Sequence, residues 1–301
     1  MKHLRIILLV VLFIFTSTYC LTGQSSVIES LSVESEIIGH PEKYSIYLPD
    51  EYNTEKEYPV IFLLHGFGGN ENSFLKSVNL PATLDSLIHC QALPPVIVIF
   101  PNGNNSYFMN DYNGLYKFED YFITEFLPTM DSTYPISTQQ NMRAIGGISM
   151  GGFGAVLLPI KHPKLFGTSI NLSGAVRTQQ EFINMNTVKY HKNFAPLYGP
   201  NLLGKERITA HWLANSPYSI IDSTYDSTLK KINWYFDCGN DDFLFSANKK
   251  LHKLYLKFDI EHEYHVRSGN HSWNYWHESI ILALTYWGEY IKTQNTKTTD
   301  F

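Results

Sequence analysis

Gly147-Ile-Ser149-Met-Gly151 sets a serine between two glycines, where an apolar run gives way to a stretch that reads as helix. A serine so placed can act as a nucleophile. A sharp strand-to-helix turn holds it in a sparsely populated backbone conformation and pushes its Oγ out above a sheet. The glycines follow from the same turn, because a Cβ two residues before or after the serine would meet neighbouring backbone. The first N–H groups of the helix then face any negative charge that develops beside the serine. Taken alone, the five residues also fit an ordinary glycine-rich turn. Acyl transfer on a serine needs three further things: a base, a carboxylate to orient it, and donors for the oxyanion. Asp241 or Asp242, just after Ile232-Asn-Trp-Tyr-Phe-Asp-Cys238, supplies the carboxylate, and His271, just after Tyr264-His-Val-Arg267, supplies the base. For the oxyanion, the loop Gly66-Phe-Gly-Gly69 is placed to give one backbone N–H and Met150 the other.

The chain has twelve histidines, so the choice of base has competitors. His262 and His265 fall within the last strand pattern and read as structural or surface residues. His65 ends a strand but precedes the serine, and is expected to support the oxyanion loop. His262-Glu-Tyr-His265 lacks the H-E-x-x-H spacing, and no cysteine or carboxylate cluster completes it. No metal and no cofactor is therefore expected.

The elements that must carry these groups alternate between strand and helix. Tyr44-Ser-Ile-Tyr-Leu-Pro49, Tyr58-Pro-Val-Ile-Phe-Leu-Leu-His65, Pro95-Val-Ile-Val-Ile-Phe100, residues 142–146 and Phe166-Gly-Thr-Ser-Ile-Asn-Leu172 read as strands. Most are continuous apolar runs, as in a parallel sheet covered on both faces, and the fold class is α/β. Helices are expected over 82–89, 115–130, after Ser149 (the elbow helix), over 245–258 and over 273–292, with Pro159, late in the elbow helix, kinking or shortening it. Residues 104–114 show no core pattern. Residues 176–229, rich in Asn, Thr and aromatics, read as an insertion over one edge of the sheet.

Lys2 and Arg5, the apolar run 6–15 and Thr16-Ser-Thr18 have the layout of a secretory signal peptide, set at residues 1–23. A single domain over 24–293 and a polar, frayed tail over 294–301 complete the expected organisation. Secretion or export to a periplasm follows, with no membrane span after signal removal; Tyr19 before Cys20 is a poor fit to lipoprotein anchoring. The whole chain carries 23 basic and 28 acidic residues. With no basic run, nucleic acid is not an expected partner. Cys90 and Cys238 are expected as two buried free thiols, a single bridge being the alternative. The oligomeric state is left open.

Four stretches together resemble the esterase D-like family of α/β-hydrolases. They are Tyr58-Pro-Val-Ile-Phe-Leu-Leu-His-Gly66, Gly147-Ile-Ser-Met-Gly-Gly152, Cys238-Gly-Asn-Asp-Asp-Phe-Leu244 and Gly269-Asn-His-Ser-Trp273. This family includes family 1 carbohydrate esterases (feruloyl and acetyl xylan esterases) and S-formylglutathione hydrolase. The resemblance implies Ser149 as nucleophile, Asp242 rather than Asp241 as the acid, His271 as the base, and the amides of Phe67 and Met150 as the oxyanion hole. It also implies Trp273 beside the histidine loop, as a substrate contact. The expected activity is that of a secreted serine carboxylesterase working through an acyl-enzyme. A polar-aromatic mouth and an acidic surface suit an uncharged, sugar-borne ester, small or polysaccharide. Acyl transfer to a sugar hydroxyl, or carbohydrate binding without catalysis, are the alternatives.

Overall fold

Eight strands form one sheet: β1 (Ser26–Val33), β2 (Glu42–Leu48), β3 (Val60–Leu64), β4 (Ile97–Pro101), β5 (Arg143–Ile148), β6 (Thr168–Leu172), β7 (Asn233–Asp237) and β8 (His262–His265). The computed structural model describes residues 25–224 and 226–298. The expected signal peptide lies outside them. Across the sheet the strands run β1-β2-β4-β3-β5-β6-β7-β8. β1 and β2 are antiparallel to their neighbours, and β4, β3, β5, β6, β7 and β8 are mutually parallel. The continuous apolar runs account for this. β3, β4, β5 and β6 are buried at every position, so both faces of each must be covered. Alternation along β3 divides the core: Val60, Phe62 and Leu64 face one side, and Ile61 and Leu63 the other. The first side packs under the elbow helix Met150–Lys161 and the helix Phe245–Lys257; the second packs under Leu80–His89 and Trp273–Thr298.

The elbow helix runs through Pro159 and ends two residues later, at Lys161. A proline in a helix leaves the carbonyl four residues back without its donor. Here that carbonyl, Ala155 O, accepts from Ser169 Oγ on β6 at 2.7 Å, so the sheet supplies the missing bond.

Several elements differ from the sequence reading. The helix expected over 115–130 starts at Phe118 and ends at Thr133, and its middle, Phe122–Phe126, widens into a π turn. Phe118, Phe122 and Phe126 are nevertheless fully buried as a stacked series. Loop 104–114 does enter the core: Tyr107, Phe108 and Met109 are buried, Tyr107 and Phe108 with positive φ near +56° and +57°. The insertion reaches one face through its helix Pro217–Thr224, which packs on the elbow helix and on Phe245–Lys257. Phe182, Tyr190, Phe194, Tyr198 and Trp212 form its core. The buried Arg207 closes it, lying over the Tyr190 ring at 4.3 Å and donating to Met185 O at 2.6 Å. Helix Trp273–Thr298 continues past residue 292. Both described cysteines are free, Cys238 buried and Cys90 exposed, the latter against expectation.

Candidate active site

Ser149 sits between β5 and the elbow helix with φ +54° and ψ −112°. The strained turn is over-determined by its neighbours. Ser149 N–H donates to Leu172 O at 2.9 Å, and Ser149 O accepts from Ala175 N–H at 2.7 Å and Phe153 N–H at 3.0 Å. A Cβ on Gly151 would lie 1.9 Å from Leu64 O, and one on Gly147 would lie 2.5 Å from Gly151 C. No side chain fits at either position, so the helix packs directly on the strand that leads to the Gly66 loop.

His271 and Asp242 lie in loops beyond β8 and β7. Asp242 Oδ2 accepts from His271 Nδ1 at 2.7 Å, and Ser149 Oγ donates to His271 Nε2 at 2.9 Å. That pairing fixes the tautomer: with Nδ1–H held by a carboxylate, the Nε2 lone pair faces the serine hydroxyl. The Asp242 side chain is 0% exposed, and its second oxygen accepts from Leu244 N–H at 2.8 Å; the His271 side chain keeps 18%. Asp241 is exposed, and its N–H donates to Gly269 O at 3.0 Å. The acid and base loops are themselves laced together, by Cys238 N–H to His265 O at 3.2 Å and Asn240 N–H to Arg267 O at 3.0 Å. They thus prolong the β7–β8 pairing past the ends of both strands.

The glycine loop closes the opposite side. Among the described residues, neither Phe67 N–H nor Met150 N–H has a hydrogen-bond acceptor. The loop is pinned from beneath by His65. Gly103 N–H donates to His65 Nε2 at 3.0 Å, so Nδ1 carries the proton and donates to Gly66 O at 2.8 Å. Burial lowers the His65 pKa from the ordinary histidine value, which keeps the ring neutral for both bonds. Gly68 N–H is held by Asn105 Oδ1 at 2.8 Å. His262 and His265 lie elsewhere: His262 Nε2 meets His252 Nδ1 at 2.7 Å, and His265 stacks on Tyr235. Burial lowers the His262 pKa as well.

Ser149, His271 and the Gly66 loop open onto one cavity of about 550 Å³. Trp273 lines it, edge-on to Trp276 at 5.4 Å, and Trp276 in turn stands edge-on to His271 at 4.7 Å. The sequence reading missed much of the remaining wall. Tyr107 comes from the strained loop, Phe243 lies tilted against His271 at 4.6 Å, and Arg177, Lys189 and Phe194 come from the insertion. Burial raises the Tyr107 phenol to about 12, against the opposing pull of Arg177. Asn248 was also missed. Its amide donates to Gly174 O at 2.9 Å and Leu244 O at 3.0 Å, and its carbonyl accepts from Asn171, tying the loops after β6 and β7 together. Only a lone polar residue within an apolar helix face marked it in sequence.

Comparison with known proteins places this geometry in a family. Esterase Rv1288 of Mycobacterium tuberculosis is 25% identical over 259 residues, covering 79% of this chain and 54% of that protein. An acetyl esterase of Caldicellulosiruptor saccharolyticus is 26% identical over 230 residues, covering 74% of this chain and 81% of that one. The chain spans about half the length of the first of these relatives. A solved ferulic acid esterase superposes with a TM-score of 0.75 at 25% identity, covering 89% of this chain and 99% of that one. Residues 35–286 match the family model described as "Putative esterase", and the chain accordingly belongs to that esterase family, built on the α/β-hydrolase fold.

Proposed function

We propose that the protein is an exported serine carboxylesterase in which Ser149, His271 and Asp242 act as nucleophile, base and acid. The observation that carries this reading is the unbroken chain from Ser149 Oγ through His271 to the buried Asp242, with the backbone N–H groups of Phe67 and Met150 left without acceptors among the described residues. Ser149 Oγ attacks the ester carbonyl while His271 Nε2 takes its proton. The resulting oxyanion is received by the N–H groups of Phe67 and Met150 at the positive end of the elbow helix. His271 then gives its proton to the departing alcohol, which leaves an acyl group on Ser149. Water, deprotonated by the same imidazole, attacks the acyl carbonyl and releases the acid. The Asp242 carboxylate accepts the Nδ1–H hydrogen bond and holds the ring in place.

Export rests on the leader layout of residues 1–23. The substrate class is an acyl or feruloyl ester borne by a carbohydrate. The wide, aromatic-lined cavity favours it, as do the acetyl and ferulic acid esterases among the similar proteins. Ser149→Ala is expected to lower p-nitrophenol release from short-chain esters by about six orders of magnitude, with unchanged circular dichroism. Turnover retained by that variant overturns the reading.

A further inference from the structure

The cavity wall facing the serine is cationic, although the chain as a whole is acidic, with 28 acidic against 23 basic residues. Arg177 and Lys189, both in the insertion, line it, and no carboxylate does among the described residues. Surface cations generally find a carboxylate, and this protein has carboxylates to spare. Nevertheless, among the described residues neither Arg177 nor Lys189 has an ion-pair partner. Each rests on an aromatic ring of the same cavity instead: Arg177 Cζ lies 5.5 Å from the Phe194 centroid, with the guanidinium also hydrogen-bonded to the neutral Tyr107 hydroxyl, and Lys189 Nζ lies 5.9 Å from the centroid of Phe243. The buried Arg177 Nε also lacks a hydrogen-bond partner. Orphaned donors of this kind are rare in native structures and call for an explanation. The two charges feel each other: desolvation of its end lowers the Lys189 pKa, and the nearby guanidinium lowers it further. Two like charges held side by side without a counter-ion are unfavourable, unless something that enters the cavity brings the negative charge.

We propose that Arg177 and Lys189 receive a carboxylate carried by the substrate, so that this site prefers esters with an acidic group on the acyl or the alcohol half. The proposal rests on Ser149 being the nucleophile, and it departs from the uncharged substrate that overall acidity suggests. A guanidinium fork and an ammonium recognise the two oxygens of a carboxylate together, and Phe194 and Phe243 keep both cations directed into the cavity.

The test has two catalytic arms and one binding arm. On the acyl side, mono-p-nitrophenyl glutarate is compared with p-nitrophenyl butyrate. On the alcohol side, 4-acetoxybenzoate is compared with its methyl ester. In one arm the wild type is expected to favour the charged ester in kcat/KM. Arg177→Gln and the exposed-site variant Lys189→Gln are each expected to reduce that preference about tenfold, mainly through KM, with Arg177→Lys restoring part of it. A wild type with no preference in either arm overturns the proposal, as do variants that slow charged and neutral esters alike. Calorimetry of 4-acetoxybenzoate and its methyl ester on the Ser149→Ala protein reads the wall without turnover. If neutral esters are hydrolysed through Ser149 without charge preference, only the cationic wall's role in binding a carboxylate falls. If no ester is hydrolysed but the acid still binds more tightly than its methyl ester through Arg177, the wall stands and the esterase reading falls.

Discussion

His65 illustrates how a single buried side chain governs the reacting groups without touching them. Its ring joins Gly103 N–H to Gly66 O, and it can do so only as the neutral Nδ1–H tautomer. Burial lowers its pKa, so below the ordinary histidine value of about 6.5 the unfolded chain binds a proton that the folded chain refuses. Its contribution to stability is therefore complete above that value and declines as pH falls toward the lowered one. His65→Gln is expected to cost about 1–3 kcal/mol at pH 7.5, with a smaller gap from wild type at pH 5, read from urea midpoints. His211, His252 and His262 are shifted in the same direction and remain in both proteins, so the difference isolates His65. A gap that widens toward pH 5 contradicts the assignment. The meeting of Ser149, Asp242 and His271, and the place of His65, were legible in the sequence because each follows a recognisable strand. Arg177, Lys189 and Phe243 were not, since they lie on short helices and loops whose partners are far away in sequence.

At the scale of elements, the elbow helix shows a helix and a strand completing each other. Pro159 takes a donor from Ala155 O, and Ser169 on β6 returns one. Ser169→Ala is expected to destabilise the protein by about 1–3 kcal/mol, because a buried carbonyl is left unpaired. Pro159→Ala restores the helical N–H, so in that background the same serine change should cost measurably less. A double-mutant cycle by thermal unfolding gives the coupling, and strictly additive losses would refute it. Proline-in-helix was readable as a conflict, but its resolution was not, because the compensating hydroxyl sits on another strand. Loop 104–114 was unreadable for a related reason. Tyr107 and Phe108 adopt positive φ without being glycine, and only the surrounding core makes that conformation tolerable. The π turn at Phe122–Phe126 likewise preserves a buried aromatic series that a regular helix pattern had already suggested.

For the molecule as a whole, the end of the sheet that bears the base depends on a buried charge. Asp237 closes β7 with its side chain 0% exposed; Arg267 Nη2 donates to it at 2.9 Å, and so does the Tyr275 hydroxyl. The guanidinium also lies 4.6 Å from the Tyr275 ring, joining β7, the loop to His271 and the helix Trp273–Thr298. Arg267→Met strands the carboxylate and is expected to cost about 3–5 kcal/mol in chemical denaturation, with Asp237→Asn in the same chain recovering part of the loss. A loss below 1 kcal/mol, marked here as roughly the surface-pair level, would show the pair to be dispensable. The parallel sheet and its two-sided cover were plain from the apolar runs, whereas the strand order and this network were not, because their partners are scattered over elements distant in sequence.

The backbone lacing between the loops after β7 and β8 has a kinetic corollary. Aspartate and imidazole ride on one ribbon, and the hydroxyl on another element altogether. Movement of this ribbon against the elbow, with the lacing intact, parts serine from histidine while the histidine–aspartate couple stays whole. On the proposed reading, turnover would then stop at one broken contact and resume on its remaking, without reassembly of the other pair.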